Sequence, residues 1–167
     1  QQALEALRAQ MQRDPSWRLP RKVRMALLTV ARRISTSEIR WALAGSTASA
    51  LNGLSITPHD IDILSDEEGA RHIAELLREF VITPLRWQET KQYASHFAQF
   101  RVDGIRVEVM GDLVIKSPKR LAGEARCTFQ YWSKVKEVPF VDVTIPVIPL
   151  EFQLVANVFI EGKDCLL

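Results

Sequence analysis

The fold of this chain is decided by residues 43–64, which are LAGSTASALNGLSITPHDIDIL. Residues 39–44 form a short apolar run that predicts a buried strand, and this run ends directly in Gly45-Ser46. Residues 47–51 predict a short helix, because the Asn-Gly pair that follows them favours a left-handed helix end. Residues 59–64 alternate between polar and apolar side chains, which predicts a second strand. The stretch therefore predicts a strand, a turn, a helix and a strand in sequence.

Gly45-Ser46 has the residue types that a small phosphate-binding turn needs. Glycine has no Cβ, so the backbone can approach a ligand closely, and the unpaired N–H groups of the following helix favour an anion. The serine adds a hydroxyl group. The same dipeptide is also typical of a plain turn glycine followed by a helix-capping serine, so the pair alone leaves both interpretations open.

Asp60 and Asp62 lie two residues apart in the second predicted strand, so both carboxylates point to the same face of the sheet. Ile61 and Ile63 then point to the opposite face, toward the core. Two like charges this close repel each other and cost stability unless a cation neutralises them. The pair therefore indicates a cation site, with solvated surface acids as the alternative interpretation.

Further helices and strands are predicted along the rest of the chain. We expect helices over residues 2–12, from Pro20 to residue 34, from Ser65 or Asp66 to residue 80 and from Leu150 onward, and strands over residues 81–83, 97–102, 105–110 and 141–147. Asp103-Gly104 between two alternating apolar runs predicts a hairpin turn. Pro146 places the last strand at a sheet edge or ends it there. Residues 116–136 are basic and aromatic, and we expect them to be irregular or helical.

Glu108 lies in the second strand of the predicted hairpin, and its neighbours Val107 and Val109 point to the other face. It could be a plain surface residue or a partner of Arg106. It could equally complete a site of three carboxylates for Mg²⁺, which prefers hard oxygen ligands together with substrate phosphates. Asp112 is the competing third acid, but it follows a glycine and is expected to lie in a turn.

Strands and helices in this mixture predict an α/β or α+β fold with a mixed sheet flanked by helices. A length of 167 residues suits one domain, expected to span residues 1–167 with a motif-bearing core at about 38–112 and a helical N-terminal segment at 1–35. Its 47% hydrophobic and 25% charged residues exclude disorder, collagen and coiled coil as descriptions of the whole chain. No apolar run approaches the roughly 18 residues of a membrane-spanning helix, so no membrane partner is expected. No signal peptide is recognisable, although the chain begins with Gln1 rather than Met.

The net charge of +2 is too small to indicate a nucleic-acid partner by itself. Basic residues are nevertheless concentrated in residues 18–33, and we interpret them mainly as the solvated face of a helix, with binding of RNA or another anion as the alternative. Five aromatic residues are expected to pack in the core or at the surface, with base stacking as the alternative: Trp87, Tyr93, Phe129, Tyr131 and Trp132. Cys127 and Cys165 are widely separated and lack metal-ligand spacing, which favours a reducing compartment and a cytoplasmic location.

Together these motifs resemble those of the nucleotidyltransferase superfamily, which shares the DNA polymerase β-like fold. The resemblance rests on the Gly-Ser that opens a helix, the Asp-x-Asp about a dozen residues later, and an acid between apolar residues in Val107-Glu108-Val109. It covers about residues 38–112. The sequence is most similar to the small, prokaryotic-type members, which include antibiotic nucleotidyltransferases and the minimal nucleotidyltransferases of toxin–antitoxin pairs.

The resemblance implies a role for each motif residue. Gly45 and Ser46 would hold the β- and γ-phosphates of a nucleoside triphosphate, while Asp60, Asp62 and Glu108 would bind two Mg²⁺ ions. The implied reaction is attack of an acceptor hydroxyl, on a small molecule, a protein or RNA, at the α-phosphate with loss of pyrophosphate. Glutamate at the third acidic position departs from the family pattern, in which aspartate is commoner.

Two other functions remain open from the sequence. The first is a catalytically inactive, antitoxin-like binding protein on the same fold, for which we expect a partner protein or a homo-oligomer. The second is a metal-dependent nuclease or phosphatase, since clustered acids also occur in those enzymes. The Gly-Ser turn favours a triphosphate-binding enzyme over the second of these.

Overall fold

The computed structural model describes residues 1–116, 126–130 and 132–161. Its helices are α1 (Gln2–Arg13), α2 (Arg21–Ile34), α3 (Gly45–Leu51), α4 (Glu67–Leu76) and α5 (Leu150–Glu161), and its strands are β1 (Trp41–Ala44), β2 (Asp60–Ser65), β3 (Val81–Glu89), β4 (Tyr93–Val102), β5 (Ile105–Lys116), β6 (Arg126–Thr128), β7 (Lys136–Phe140) and β8 (Val143–Val147). Short 3-10 helices lie at Pro15–Arg18, Arg78–Phe80 and Trp132–Lys134.

All eight described strands belong to one mixed sheet. Its order is β3-β4-β5-β2-β1-β8-β7, and β6 pairs with β5 beside this path. The pairs β2–β5 and β1–β8 are parallel, and the other pairs are antiparallel. The predicted mixed sheet flanked by helices is therefore confirmed.

Helices α2 and α4 cover one face of the sheet. The apolar positions of α2 at Val23, Leu27, Val30 and Ile34 repeat at helical spacing, and all four side chains are buried. They pack in one cluster with the inward residues of the central strands, among them Ile61, Ile63, Val107 and Val109. Burying such side chains contributes roughly 1.5–3 kcal/mol each, so this face provides most of the described core.

The opposite face of the sheet is only partly covered. Ala42, Leu64 and Ile148 are buried there, with Phe129 and with Phe152 of α5 packed against them. Because side chains alternate along a strand, residues that precede Leu64 by two and four positions share this face. Asp60 and Asp62 therefore lie on the partly covered face, beside α3 and α5.

Several predicted boundaries hold closely. Pro20 precedes α2, and Asp66 caps α4 by accepting a hydrogen bond from the N–H of Gly69. The hairpin turn at Asp103-Gly104 is confirmed, with positive φ angles of 49° and 80°. Such angles define the tight turn that Asp-Gly favours between twisted strands.

Other strands differ from the prediction. Strand β3 has nine residues, whereas three were predicted because Pro84 interrupts the apolar run. The proline is tolerated because β3 lies at the sheet edge, and the register shifts beside it. Residues 126–128 form β6, so the expectation of irregular or helical structure is wrong there, and residues 117–125 and 131 lie outside the described part. Strand β7 was not predicted.

Pro146 is not at a sheet edge, because β8 lies between β7 and β1. The expectation that the proline ends the strand is nearly met, since β8 finishes one residue later at Val147. Strand β1 meets β8 only where Leu43 lies opposite Val147. The proline therefore has almost no ladder to interrupt on that side.

Among the described helices, none is long and apolar enough to span a membrane.

Gly111 gives a direct test of how tightly α4 packs on β5. A Cβ at this position would lie 2.8 Å from the Cβ of Ala70 and 2.9 Å from the carbonyl oxygen of Asp66. We therefore expect Gly111→Ala to lower the free energy of unfolding by about 1–3 kcal/mol, as overpacking does in a tight contact. Urea unfolding should show the shift, with the exposed Glu68→Ala as a control; equal midpoints for the two variants would contradict this packing.

Candidate active site

The register of two parallel strands brings the predicted acids together. Asp62 of β2 lies directly opposite Glu108 of β5, and Asp60 lies opposite Arg106. Ile61 between the two aspartates is fully buried on the helix-covered face. All three predicted carboxylates are therefore carried on one face by neighbouring strands, as proposed from their spacing.

Gly45 lies directly above Asp62. Strand β1 pairs with β2 so that Ala44 faces Asp62, and α3 begins at the next residue. Gly45 has a φ of +64°, and a Cβ added to it would overlap Oδ2 of Asp62. Only glycine fits here, because both the space and the backbone conformation exclude a side chain. Ser46 is half-buried in the first turn of the helix.

Asp62 has the most perturbed carboxyl group of the site. Its pKa is raised to about 7, mainly by burial and then by the charges of Asp60 and Glu108, while Arg106 lowers it. A carboxylate in this position is costly without a cation, since burial and like charges both disfavour its ionised form. The site therefore favours either a proton on Asp62 or a cation beside it.

Arg106 provides a cation within the site. Its guanidinium donates to Oδ2 of Asp60 at 2.8 Å, and its Nε lies 3.5 Å from Oε1 of Glu108. The hydrogen bond to Asp60 raises the pKa of Arg106 above its ordinary value. Gln99 of β4 donates a further hydrogen bond to Glu108 at 3.2 Å. The sequence predicted Arg106 as one possible neighbour of Glu108, but its bridge to Asp60 requires the pairing of two strands.

The three acids suit a divalent ion in donor type, but their side chains are arranged around Arg106. Their carboxylate oxygens are the hard ligands that Mg²⁺ prefers. A different group of possible metal ligands lies closer together. Among the described residues, only Glu67, His96 and Asp112 have ligand atoms that all lie within 4.8 Å of each other. Arg106 is 50% exposed, so its side chain can move away when an ion enters.

The Glu67 group lies at the start of α4, outside the predicted site, and its members satisfy one another. Asp112 accepts a hydrogen bond from the N–H of Glu67 at 3.2 Å, and Glu67 contacts His96 at 3.4 Å and Arg71 at 2.5 Å. Asp112 lies inside β5 at a positive φ of 50°, so its expected place in a turn is wrong. Its carboxylate contacts the first residue of α4, so Glu108 remains the predicted third acid.

Two of the basic residues in 18–33 form ion pairs within the described structure. Arg32 forms an ion pair with Asp142 at 2.8 Å, and Arg33 pairs with Glu79. These contacts agree with a charged surface on α2 opposite its buried face.

A cavity of about 560 Å³ opens from Gly45, Asp62 and Glu108. It extends between the partly covered face of the sheet and α5, where Tyr93 and Phe129 also line it. Burial raises the pKa of Tyr93, and the charge of Asp62 raises it further. The sequence singled out both aromatics as possible stacking residues, whereas the contribution of α5 could not be foreseen because it depends on how that helix crosses the sheet.

Comparison with known proteins identifies the family. A family model described as aminoglycoside-2''-adenylyltransferase matches residues 26–164. The chain belongs to this family. A solved structure from Thermotoga maritima, described as a "putative nucleotidyltransferase", is 32% identical, has a TM-score of 0.72 and covers 81% of this chain and 83% of its own. Comparison with curated proteins gives no significant match.

Both matches carry the name of a nucleotidyltransferase. The resemblance inferred from the motifs is therefore confirmed, and the chain is a nucleotidyltransferase-superfamily member with that fold. Transfer of a nucleoside monophosphate from a nucleoside triphosphate is the activity that family and fold support.

The raised pKa of Asp62 predicts how stability depends on pH. Because folding raises this pKa from 3.8 to about 7, the metal-free protein binds a proton more tightly when folded, so its free energy of unfolding falls as pH rises between these values. The expected fall is about 4 kcal/mol from this group. Asp62→Asn, which mimics the protonated form, should remove that fall.

Urea unfolding in chelator at pH 5 and pH 8 measures the effect. The variant should be the more stable protein at pH 8, and the two should approach each other at pH 5. Asp112→Asn is the matched control. Parallel pH profiles for the wild type and Asp62→Asn would show that Asp62 is not protonated on folding.

The position of Arg106 predicts that it competes with divalent cations for Asp60 and Glu108. Arg106→Gln should therefore strengthen Mn²⁺ or Mg²⁺ binding at pH 8 by roughly three- to tenfold, the scale of a partly exposed charge interaction. Isothermal titration calorimetry can measure this. Arg78→Gln, at an exposed arginine in a 3-10 helix away from the site, is the control, and unchanged or weaker metal binding by Arg106→Gln would contradict competition.

Proposed function

We propose that this protein is a Mg²⁺-dependent nucleotidyltransferase that transfers a nucleoside monophosphate from a nucleoside triphosphate to an acceptor hydroxyl. The observation that supports this best is the adjacency of Asp62 and Glu108 directly beneath Gly45. The description of the family names adenylyl transfer, so ATP is the first donor to test.

Gly45 and Ser46 are proposed to hold the β- and γ-phosphates. Helix α3 begins at Gly45 without a side-chain cap, so the N–H groups of its first turn are proposed as phosphate donors, and the absence of a Cβ at Gly45 leaves room directly beside Asp62. Ser49 of the same helix donates to the carbonyl oxygen of Gly45 at 3.1 Å, which fixes the turn.

Asp60, Asp62 and Glu108 are proposed to hold two Mg²⁺ ions, which would neutralise charge on the attacking and leaving oxygens when bound. The donors fit, because three carboxylates share one face of neighbouring strands. The pKa of Asp62, raised by burial and like charge, supports a position that needs a cation. Asp62, between the other two, is the residue best placed to contact both ions. Gln99 restrains the longer side chain of Glu108 and so offsets the extra methylene relative to aspartate.

In the proposed reaction the acceptor oxygen attacks the α-phosphorus, the bond to the bridging oxygen breaks, and pyrophosphate leaves with that oxygen. Glu108 is placed to hold the acceptor hydroxyl and accept its proton. The chain contributes mainly positioning and charge neutralisation, as phosphoryl-type transfers require.

A non-catalytic binding protein is the second candidate, and the position of Arg106 favours it. The guanidinium already neutralises Asp60 and contacts Glu108 without any metal. If this pairing persists in the presence of Mg²⁺ and nucleotide, the fold would serve binding alone, with a protein partner or a second copy as the ligand.

The test of catalysis uses triphosphates radiolabelled at the α-phosphate, with Mg²⁺ and separate pools of small molecules, proteins and RNA as acceptors. We expect label transfer by the wild type and a loss of roughly a hundredfold or more in Asp62→Asn and Glu108→Gln, because each removes a ligand of the charge-neutralising ions. Asp112→Asn is the matched control, since Asp112 lies on the same strand as Glu108 but contacts the start of α4.

Transfer that persists in Glu108→Gln but disappears in Asp112→Asn would show that Asp112, rather than Glu108, is the third acid. No transfer to any pool, together with Mg²⁺-independent binding of a specific partner, would favour the non-catalytic candidate.

A further inference from the structure

Strand β1 ends before it has paired with the whole of β2. The described pairs run from Trp41 opposite Ser65 to Ala44 opposite Asp62, and α3 begins at the next residue. Two more residues in this register would place residue 46 opposite Asp60, but that residue already belongs to the helix. On its other side Asp60 pairs with β5. The first residue of β2 therefore has a strand neighbour on one side only.

Thr47 of α3 occupies the side that β1 leaves open. Its hydroxyl donates a hydrogen bond to the main-chain carbonyl oxygen of Asp60 at 2.6 Å, and its side chain is almost fully buried. Carbonyl groups inside a protein need a partner, and here a side chain supplies the bond that a strand residue would otherwise make. Thr47 thus joins the helix that starts at Gly45 to the main chain that carries Asp60.

This contact differs from the one that a threonine in a helix commonly makes. Such hydroxyls donate to the carbonyl oxygen four residues earlier, as Thr29 of α2 does to Met25. For Thr47 that position is Leu43 in β1, whose carbonyl oxygen accepts a hydrogen bond from the N–H of Ile148. The hydroxyl of Thr47 is therefore directed out of its own helix toward β2.

The carboxylate of Asp60 has a separate and weaker anchor. Arg106 donates to its Oδ2 at 2.8 Å, but the side chain of Arg106 is half exposed. A divalent ion and the guanidinium compete for the same oxygen atoms, so binding of the ion removes this anchor. The position of the carboxylate then depends on the main chain of Asp60, which Thr47 holds.

We propose that Thr47 is a positioning residue of the carboxylate site. Its hydroxyl fixes the main chain of Asp60, so that the carboxylate stays beside Asp62 when a divalent ion replaces Arg106. This inference rests on the proposed function. Thr47 acts through Asp60 and not by contact with a ligand, because its hydroxyl hydrogen is used on the carbonyl oxygen and Thr47 is not among the described residues that line the cavity.

The test measures Mn²⁺ affinity by isothermal titration calorimetry at pH 8, without nucleotide. Thr47→Val keeps the shape of the side chain and removes the donor, so we expect affinity to fall by roughly three- to tenfold, the scale of one hydrogen bond. Thr47→Ser keeps the hydroxyl and should bind Mn²⁺ as the wild type does. Thr29→Val is the matched control, because it removes a helical hydroxyl on the opposite face of the sheet.

A second pair of variants serves if Thr47→Val does not fold. Thr47→Ala and Thr47→Ser both lack the methyl group and differ only in the hydroxyl, so the ratio of their Mn²⁺ affinities isolates the hydrogen bond. The same ratio is then measured with Asp60→Asn present. It should fall to less than about twofold, because two residues that act through one contact do not have additive effects.

Equal Mn²⁺ affinities for Thr47→Ala and Thr47→Ser, or for Thr47→Val and the wild type, would overturn the proposal. An undiminished ratio with Asp60→Asn present would also overturn it, because Thr47 would then act through α3 and not through Asp60. Absence of nucleotidyl transfer, with the Mn²⁺ affinities in the expected order, would count against the proposed reaction alone. Transfer with equal affinities would count against the role of Thr47 alone.

Discussion

The structure of the site depends on a repulsion between like charges that the sheet does not relieve. Parallel pairing of β2 and β5 fixes Asp62 beside Glu108, with Asp60 two residues away on the same face. Burial is the larger effect, and together with this repulsion it raises the pKa of Asp62 to about 7. Strands packed on a buried core cannot separate these groups, so the site favours either a proton on Asp62 or a cation beside it.

The surroundings of the acids follow from this constraint. Gly45 is the one residue type that fits over Asp62, because any Cβ would overlap its carboxylate. Arg106 supplies positive charge from the same face of β5 and is exposed enough to leave. A site that exchanges an internal cation for external ones is suited to a substrate that arrives with divalent ions.

Much of the fold could be predicted from local sequence patterns. The apolar stripe of α2, the Asp66 cap and the Asp-Gly hairpin each depend on contacts within a few residues, and all three are present. The extent of β3 and the presence of β6 and β7 could not be predicted. These strands are short or interrupted by proline, and their pairing partners rather than their own residues determine them.

The candidate site divides in the same way. The aspartate spacing and the Gly-Ser turn were readable because period-two alternation and helix starts are local properties. The choice of Glu108 over Asp112 stayed open, since the two acids are only four residues apart and the sequence alone does not give the extent of the strand. The strand register puts Glu108 beside Asp62, whereas Asp112 contacts the start of α4, and this geometry favours Glu108.

By itself, therefore, the sequence determined which residue types could bind phosphate and cations, and which elements carry them. Only the tertiary structure decided which acids meet, that Arg106 lies between them, and that α5 closes a largely apolar cavity with Gln153 in its wall. The physical reason is that backbone conformation depends on neighbours along the chain, whereas charge coupling and cavity shape depend on side chains brought together from distant segments.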